Sequence, residues 1–291
     1  MKTCLLMLAS ITLICGCSTP SVGAESPKKL LVVTTTAGFR HSSIPTAEKV
    51  IAQIAERTGE FTVDFVRQPE GKPTAPKTPN EEAQAIFREA QAKWETQLKQ
   101  ALLKLSPESL KNYDGVIFAN TTGDLPIPDK EGFLAWLSSG KAFIGMHAAT
   151  DTFPNWPGYI DMIGGHFLRH GSQVGVDCCI ENTMHPATTH LGKVWPIQQE
   201  EIYLFKNYDP ARVKELIILE KHPNDKTPGR YPISWTREMG KGKIFYTSLG
   251  HREDIWDTDP TIKDRKNSVE ISQAYQAHIS GGIRWALGLK N

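Results

Sequence analysis

Three histidines of this sequence follow short apolar runs, and they are the residues best placed to do chemistry. His147 lies at the centre of the segment Gly-Met-His-Ala-Ala, directly after the apolar run at 142–146. His41 and His251 follow similar runs. A histidine can transfer protons, bind a metal or hydrogen-bond a sugar hydroxyl. The sequence therefore predicts a reaction centre where these runs end.

The segment around His147 is typical of a sharp turn between a strand and a helix. Such a turn presents its central residue to the cleft at the carboxyl end of a sheet, as a nucleophile elbow does. We expect His147 to be exposed there and to contribute little to packing. Asp151, four residues on, would orient the imidazole if the stretch is helical. A histidine buried in the core is the alternative.

A second pair of histidines, His166 and His170, has the spacing of zinc ligands on a helix. The glycines at 164 and 165 are a poor start for a helix, and the pair lacks an adjacent glutamate. With His147, the pair defines one hypothesis, a metal-dependent hydrolase. The main prediction is a site without a cofactor. A divalent metal ion at these histidines is the alternative.

Several common functions have no support in the sequence. It contains no phosphate-binding loop, no dinucleotide-binding Gly-x-Gly-x-x-Gly after a strand and no Gly-x-Ser-x-Gly. Lysine and arginine number 33 against 32 aspartates and glutamates. This balance gives no electrostatic reason to expect nucleic acid as a partner.

The elements that must position these histidines alternate between strand and helix, which predicts an α/β fold with a doubly wound, mostly parallel sheet. Shorter strands joined by turns predict mixed strands in the C-terminal half. The predicted strands lie at 29–36, 61–66, 114–119, 141–146, 174–180, 201–205, 216–219, 233–235 and 244–247. The predicted helices lie at 45–57, 81–105, 128–139 and 269–287. A proline-rich loop and a polar helix at 68–105 are predicted to form an insertion packed on the sheet edge.

The N-terminus is typical of an exported lipoprotein. Residues 1–16 have the order of a signal peptide, with an apolar run too short to span a membrane. The segment Ile14-Cys15-Gly16-Cys17 at the end of the run has the residue order of a bacterial lipobox. Cys17 is therefore the predicted lipidation site. Residues 17–27 are a predicted tether and 28–291 a single domain. We expect a protein attached to the cell envelope by lipid alone, on the periplasmic face of the outer membrane. An ordinary signal peptide cleaved after Ala24 is the alternative.

The body of the chain resembles the ThuA-like (trehalose-utilisation) family, whose fold is that of the flavodoxin-like class I glutamine amidotransferases. The matching segments run from about residue 30 to the end. They are Gly38-Phe39-Arg40-His41, Tyr113-Asp114, Gly145-Met146-His147-Ala148-Ala149 with Asp151, Gly164-Gly165 with Phe167 and His170, His185-Pro186, Glu201-Ile202-Tyr203, Trp235, Gly240-Lys241-Gly242 and Gly250-His251. His147 occupies the cysteine position of the amidotransferases, so glutamine amidotransferase activity is not expected.

The resemblance implies a carbohydrate substrate, including 3-keto-sugars made by a partner sugar dehydrogenase. The enzyme would be an isomerase, a lyase or a hydrolase. Isomerisation or elimination of a keto-sugar needs a base and an electrophile for the developing enolate. The catalytic candidates are His147, His251 and Asp151. The substrate-binding candidates are Arg40, His41, His170, Glu201 and Tyr203.

A carbohydrate-binding lipoprotein without catalysis is the other hypothesis. In that case exposed tryptophans would stack on sugar rings. The candidates are Trp156, Trp195, Trp235 and Trp256.

Overall fold

Strands and helices alternate along the first half of the chain in the computed structural model, which describes residues 26–78 and 80–290. The strands within these residues are β1 (Lys28–Val33), β2 (Phe61–Val66), β3 (Gly115–Ala119), β4 (Ala142–Met146), β5 (His166–His170), β6 (Val174–Ile180), β7 (Val194–Glu200), β8 (Tyr203–Lys206), β9 (Lys214–Lys221), β10 (Pro228–Met239) and β11 (Gly242–Thr247). The helices are α1 (Ile44–Thr58), α2 (Glu81–Leu102), α3 (Pro107–Leu110), α4 (Lys130–Ser138), α5 (Pro157–Ile163), α6 (Glu253–Trp256) and α7 (Val269–Leu287).

Nine of these strands form one sheet in the order β2-β1-β3-β4-β11-β10-β9-β6-β7. Each neighbouring pair from β2 to β11 is parallel. Each neighbouring pair from β11 to β7 is antiparallel. The predicted α/β class, with a mostly parallel sheet and mixed strands in the C-terminal half, is confirmed. The strands β5 and β8 form a separate antiparallel ribbon.

The parallel strands are buried on both faces, so their side chains alternate between two cores. In β1, Leu30 and Val32 point into the core formed with α1 and α7, whereas Leu31 and Val33 point into the core on the other face. This second core contains Trp94 and two leucines of α2. The helix at 81–102 therefore covers one face of the sheet on the way from β2 to β3.

The segment at 166–170 is a strand and not a helix. Two residues four apart on a strand are separated by about 13 Å along it. His166 and His170 therefore lack the helical spacing on which the zinc alternative depended.

The predicted signal peptide, the lipidation site Cys17 and most of the tether lie outside the described residues. None of the described helices combines the length and the apolar character needed to cross a membrane.

Candidate functional site

Three histidine rings meet at the carboxyl end of the parallel strands. The ring centroids of His41 and His147 are 4.8 Å apart, those of His41 and His251 are 5.3 Å apart, and those of His147 and His251 are 5.2 Å apart. Together with the carboxylate of Glu201 they form what we call the histidine cluster.

Strand register explains why these residues meet. At its last residue, Met146, β4 pairs with Ala119 of β3 on one side and Thr247 of β11 on the other. On its other side β3 pairs in parallel with β1. The chains that leave β1, β4 and β11 therefore emerge at the same edge of the sheet. His147 has a φ of 46°, a left-handed conformation that a non-glycine residue seldom adopts. The sharp turn predicted after β4 is present.

His147 is fully buried, which corrects the expectation of an exposed residue with little role in packing. Its Nδ1 is 2.8 Å from the carbonyl oxygen of Ser248, so Nδ1 carries the proton and donates it there. The lone pair on Nε2 then faces the cluster, 3.3 Å from His251 Nδ1. Tyr203, 3% exposed, packs its ring 4.3 Å from the imidazole and supports it from the other side.

Burial keeps two of the three rings neutral. It lowers the pKa of His41 to about 4, with a further decrease from nearby His251. It also holds the pKa of His147 well below its usual range, again assisted by the neighbouring histidines. Neutral imidazole is the form that binds metals and accepts protons.

Glu201 is the acidic member of the cluster and contacts three imidazoles. Its Oε2 is 3.2 Å from His251 Nδ1 and 3.7 Å from His147 Nε2. Its Oε1 is 3.1 Å from Nδ1 of His170, which lies at the exposed edge. Burial acts to raise the pKa of Glu201, but the hydrogen bond and charge of His251 outweigh it, and the net shift is downward. The side chain is therefore a carboxylate at neutral pH.

Glu200, which the sequence analysis did not single out, lies behind the cluster. It is fully buried, and its Oε1 accepts hydrogen bonds from the backbone amides of His251, at 2.8 Å, and Glu201, at 3.2 Å. Burial raises its pKa to about 8 despite these bonds. Glu200 thus fixes the backbone of two cluster residues.

The open side of the cluster carries His170 and an exposed aromatic ring. Phe39 is 68% exposed, and its ring lies edge-on to His41 with centroids 4.9 Å apart. An exposed ring beside polar groups is suited to stacking on a sugar. Its place in the Gly-Phe-Arg-His segment was visible in the sequence, but its exposure was not.

Two predicted site residues make other contacts. The guanidinium of Arg40 donates to the carbonyl oxygen of Thr34 at 2.9 Å, and burial lowers its pKa. Asp151 does not orient His147, because the Ser248 carbonyl occupies Nδ1. Burial raises the pKa of Asp151, opposed by the charge of Lys206.

The tryptophans considered as sugar platforms belong to the core. All four are at most 6% exposed: Trp156, Trp195, Trp235 and Trp256. None of them presents a ring to solvent, so the binding hypothesis loses the residues on which it depended.

The comparisons with known proteins agree with this architecture. The model of the family ThuA, described as trehalose utilisation, matches residues 29–286. A ThuA-like protein from Parabacteroides merdae has a TM-score of 0.62 at 20% identity, covering 90% of this chain and 91% of its own. One from Bacteroides uniformis has a TM-score of 0.60 at 19% identity, covering 92% and 95%. No curated protein matches the chain. Since the family model spans nearly all of the described residues, the chain belongs to the ThuA family of trehalose utilisation.

Proposed function

We propose that the protein is an enzyme that moves a proton next to the carbonyl of an oxidised sugar, with the histidine cluster as its reaction centre. Membership of a family described as trehalose utilisation supports a sugar as the substrate. The observation that carries the chemistry is the buried carboxylate of Glu201, which contacts His251 and His147 through one oxygen and His170 through the other.

In this proposal His170 is the base. Its Nδ1 lies 3.1 Å from Glu201 Oε1 and 2.9 Å from the carbonyl oxygen of Gly171, so Nδ1 carries the proton. The lone pair of Nε2 is then free on an exposed ring. A carboxylate that orients an imidazole and stabilises its charged form is the arrangement used in catalytic triads. This assignment replaces the one made for His147, whose ring nitrogens both face protein groups.

The reaction that fits these groups begins on the carbon beside the carbonyl of a 3-keto-sugar. The base takes a proton from that carbon, and the electron pair of the broken bond forms an enolate that the cluster stabilises. In an isomerisation, the proton returns to the former carbonyl carbon, and the hydroxyl proton on the first carbon passes to the enolate oxygen, so the carbonyl moves to the first carbon. Loss of the glycosidic oxygen from the adjacent carbon forms a double bond and releases the partner alcohol, which takes up a proton. A partner dehydrogenase would supply the 3-keto-sugar.

The test is turnover of a panel of glucosides and their 3-keto forms. We expect the wild type to convert keto forms and not the parent glucosides. Glu201→Gln should lower kcat/KM by about 10²–10⁴-fold, the usual contribution of acid/base groups. Glu215→Gln is the matched control, because Glu215 is equally buried and ion-paired with Arg230 outside the cluster. Failure of the folded wild type on every sugar, or full activity of Glu201→Gln, contradicts the proposal.

The cellular location belongs to the same proposal. The lipobox supports export and attachment to the envelope through a lipid on Cys17. Cys17→Ser should abolish labelling by palmitate and release the protein from the membrane fraction. Continued labelling of this variant contradicts the anchor.

A further inference from the structure

We propose that the histidine cluster is a binding site for a divalent transition-metal ion, with His41, His147, His251 and Glu201 as ligands. Each residue offers one donor atom, and the four atoms lie within 4.8 Å of one another. Metal binding stands on this geometry alone. The catalytic part of the inference, that the ion stabilises an enolate, rests on the proposed function.

The spacing of the donors suits one ion. Ligand atoms around a tetrahedral zinc, at bond lengths near 2.0–2.1 Å, are about 3.3 Å apart. In the structure, His147 Nε2 and His251 Nδ1 are 3.3 Å apart. Glu201 Oε2 is 3.2 Å from His251 Nδ1 and 3.7 Å from His147 Nε2. One central ion can therefore reach all three atoms.

The contacts around the histidine rings resemble those that orient metal ligands in proteins. A ligating histidine commonly donates its other ring N–H to a carbonyl, which fixes the ring and directs the lone pair at the ion. His147 does this through Ser248. His41 is 5% exposed, and its buried Nδ1 has no hydrogen-bond partner among the described residues. No described residue therefore fixes the tautomer of His41, and the neutral ring can offer a lone pair to an ion.

The donor set indicates the class of ion. Three imidazoles and one carboxylate suit zinc, cobalt, nickel, iron or manganese, whereas magnesium and calcium prefer oxygen ligands. A divalent ion with one carboxylate ligand keeps a net positive charge. It would act as the electrophile for the enolate oxygen. His170 lies outside the ligand set and stays free to move the proton.

The test uses the full-length protein without an affinity tag. A chelator first removes any bound metal, and Zn²⁺ binding is then measured by titration calorimetry. Co²⁺ is a second probe, because its visible absorption reports ligand geometry. We expect one ion per chain. His147→Asn and Glu201→Gln should each weaken affinity by more than about 100-fold, since loss of an outer-shell partner alone costs about 10–100-fold.

His278→Asn is the matched control for binding. His278 is also buried with its Nδ1 2.8 Å from a backbone carbonyl, but it lies outside the cluster. Unchanged affinity in His147→Asn, or no binding by the folded wild type, overturns the inference. The calorimetric and the absorption measurements contain no sugar. A protein that binds the ion but turns over no sugar therefore refutes only the proposed function. Sugar turnover that persists in stripped protein refutes the role of the ion.

Discussion

Truncation of His147 should reduce both stability and activity, whereas an asparagine at this position should reduce activity alone. The ring is fully buried, and its Nδ1 is 2.8 Å from the Ser248 carbonyl oxygen. His147→Ala removes this hydrogen bond, leaves a buried carbonyl without that donor and opens a cavity the size of an imidazole.

The loss of stability can be estimated from these contacts. A buried polar group left unpaired costs about 1–3 kcal/mol. Large-to-small replacement in a core costs about 2–5 kcal/mol. Since the two costs overlap and imidazole is small, the free energy of unfolding should fall by roughly 3–4 kcal/mol. At about 2–4 °C per kcal/mol for a domain of this size, Tm should fall by about 10 °C.

His147→Asn keeps what the fold needs. Asparagine tolerates a left-handed φ such as the 46° observed here, and its amide nitrogen can take the place of Nδ1. We expect its free energy of unfolding to stay within about 1 kcal/mol of the wild type. The variant lacks Nε2, the nitrogen that would bind the ion, so ion affinity should fall by more than about 100-fold and sugar turnover should fall with it.

The assay combines urea unfolding and sugar turnover on the same preparations. His278→Ala is the control, because it removes a similar buried hydrogen bond to Ala187 outside the cluster. It should lower stability and leave the turnover of the folded fraction unchanged. Wild-type stability in His147→Ala, or full turnover in His147→Asn, would contradict this role of His147.

Three other outcomes follow from the structure. Burial lowers the pKa of His278 from 6.5 to about 3, so below pH 6.5 the unfolded chain binds a proton that the folded chain does not. The free energy of unfolding should therefore fall by about 1.4 kcal/mol per pH unit as pH decreases from 6.5 toward 3. Urea unfolding at pH 7 and pH 5 should show a smaller loss of stability in His278→Asn than in the wild type. Asp151→Asn should leave the sugar-turnover rate unchanged, because the Ser248 carbonyl and not this carboxylate fixes His147. Gly282→Ala should lower Tm, since its Cβ would lie 2.4 Å from the Phe245 ring, whereas Gly192→Ala, with nothing nearer than 3.8 Å, should not.

Much of the fold could be predicted from the sequence because the parallel strands are short, apolar and β-branched. The runs that became β1, β3, β4 and β11 all end in polar residues, and parallel strands end at one edge of a sheet. Strands that end at the same edge bring His41, His147 and His251 together.

The contribution of the antiparallel half was harder to predict. Glu200 ends β7 and Glu201 follows it; a proline lies between the buried Trp195 and Ile197 of this strand. The strand was therefore missed, and Glu201 was placed on the next one. Which side chains contact each other across β7, β8 and the cluster depends on long-range packing that local patterns do not contain.

Burial was the other quantity that could not be predicted. A histidine at a sharp turn is exposed in one fold and enclosed in another, depending on what covers it. Here Tyr203 and the residues after β11 enclose His147. The same enclosure leaves Phe39 and His170 as the accessible groups.

Deuterium uptake tests whether His170, oriented by Glu201 of the histidine cluster, moves a proton beside a sugar carbonyl. A 3-keto-glucoside is incubated with the protein in heavy water, and NMR follows the hydrogen on the carbon next to the carbonyl. The account predicts uptake catalysed by the wild type and slowed by about 10²–10⁴-fold in Glu201→Gln. Uptake by the wild type no faster than in buffer, or equal in both proteins, would contradict it.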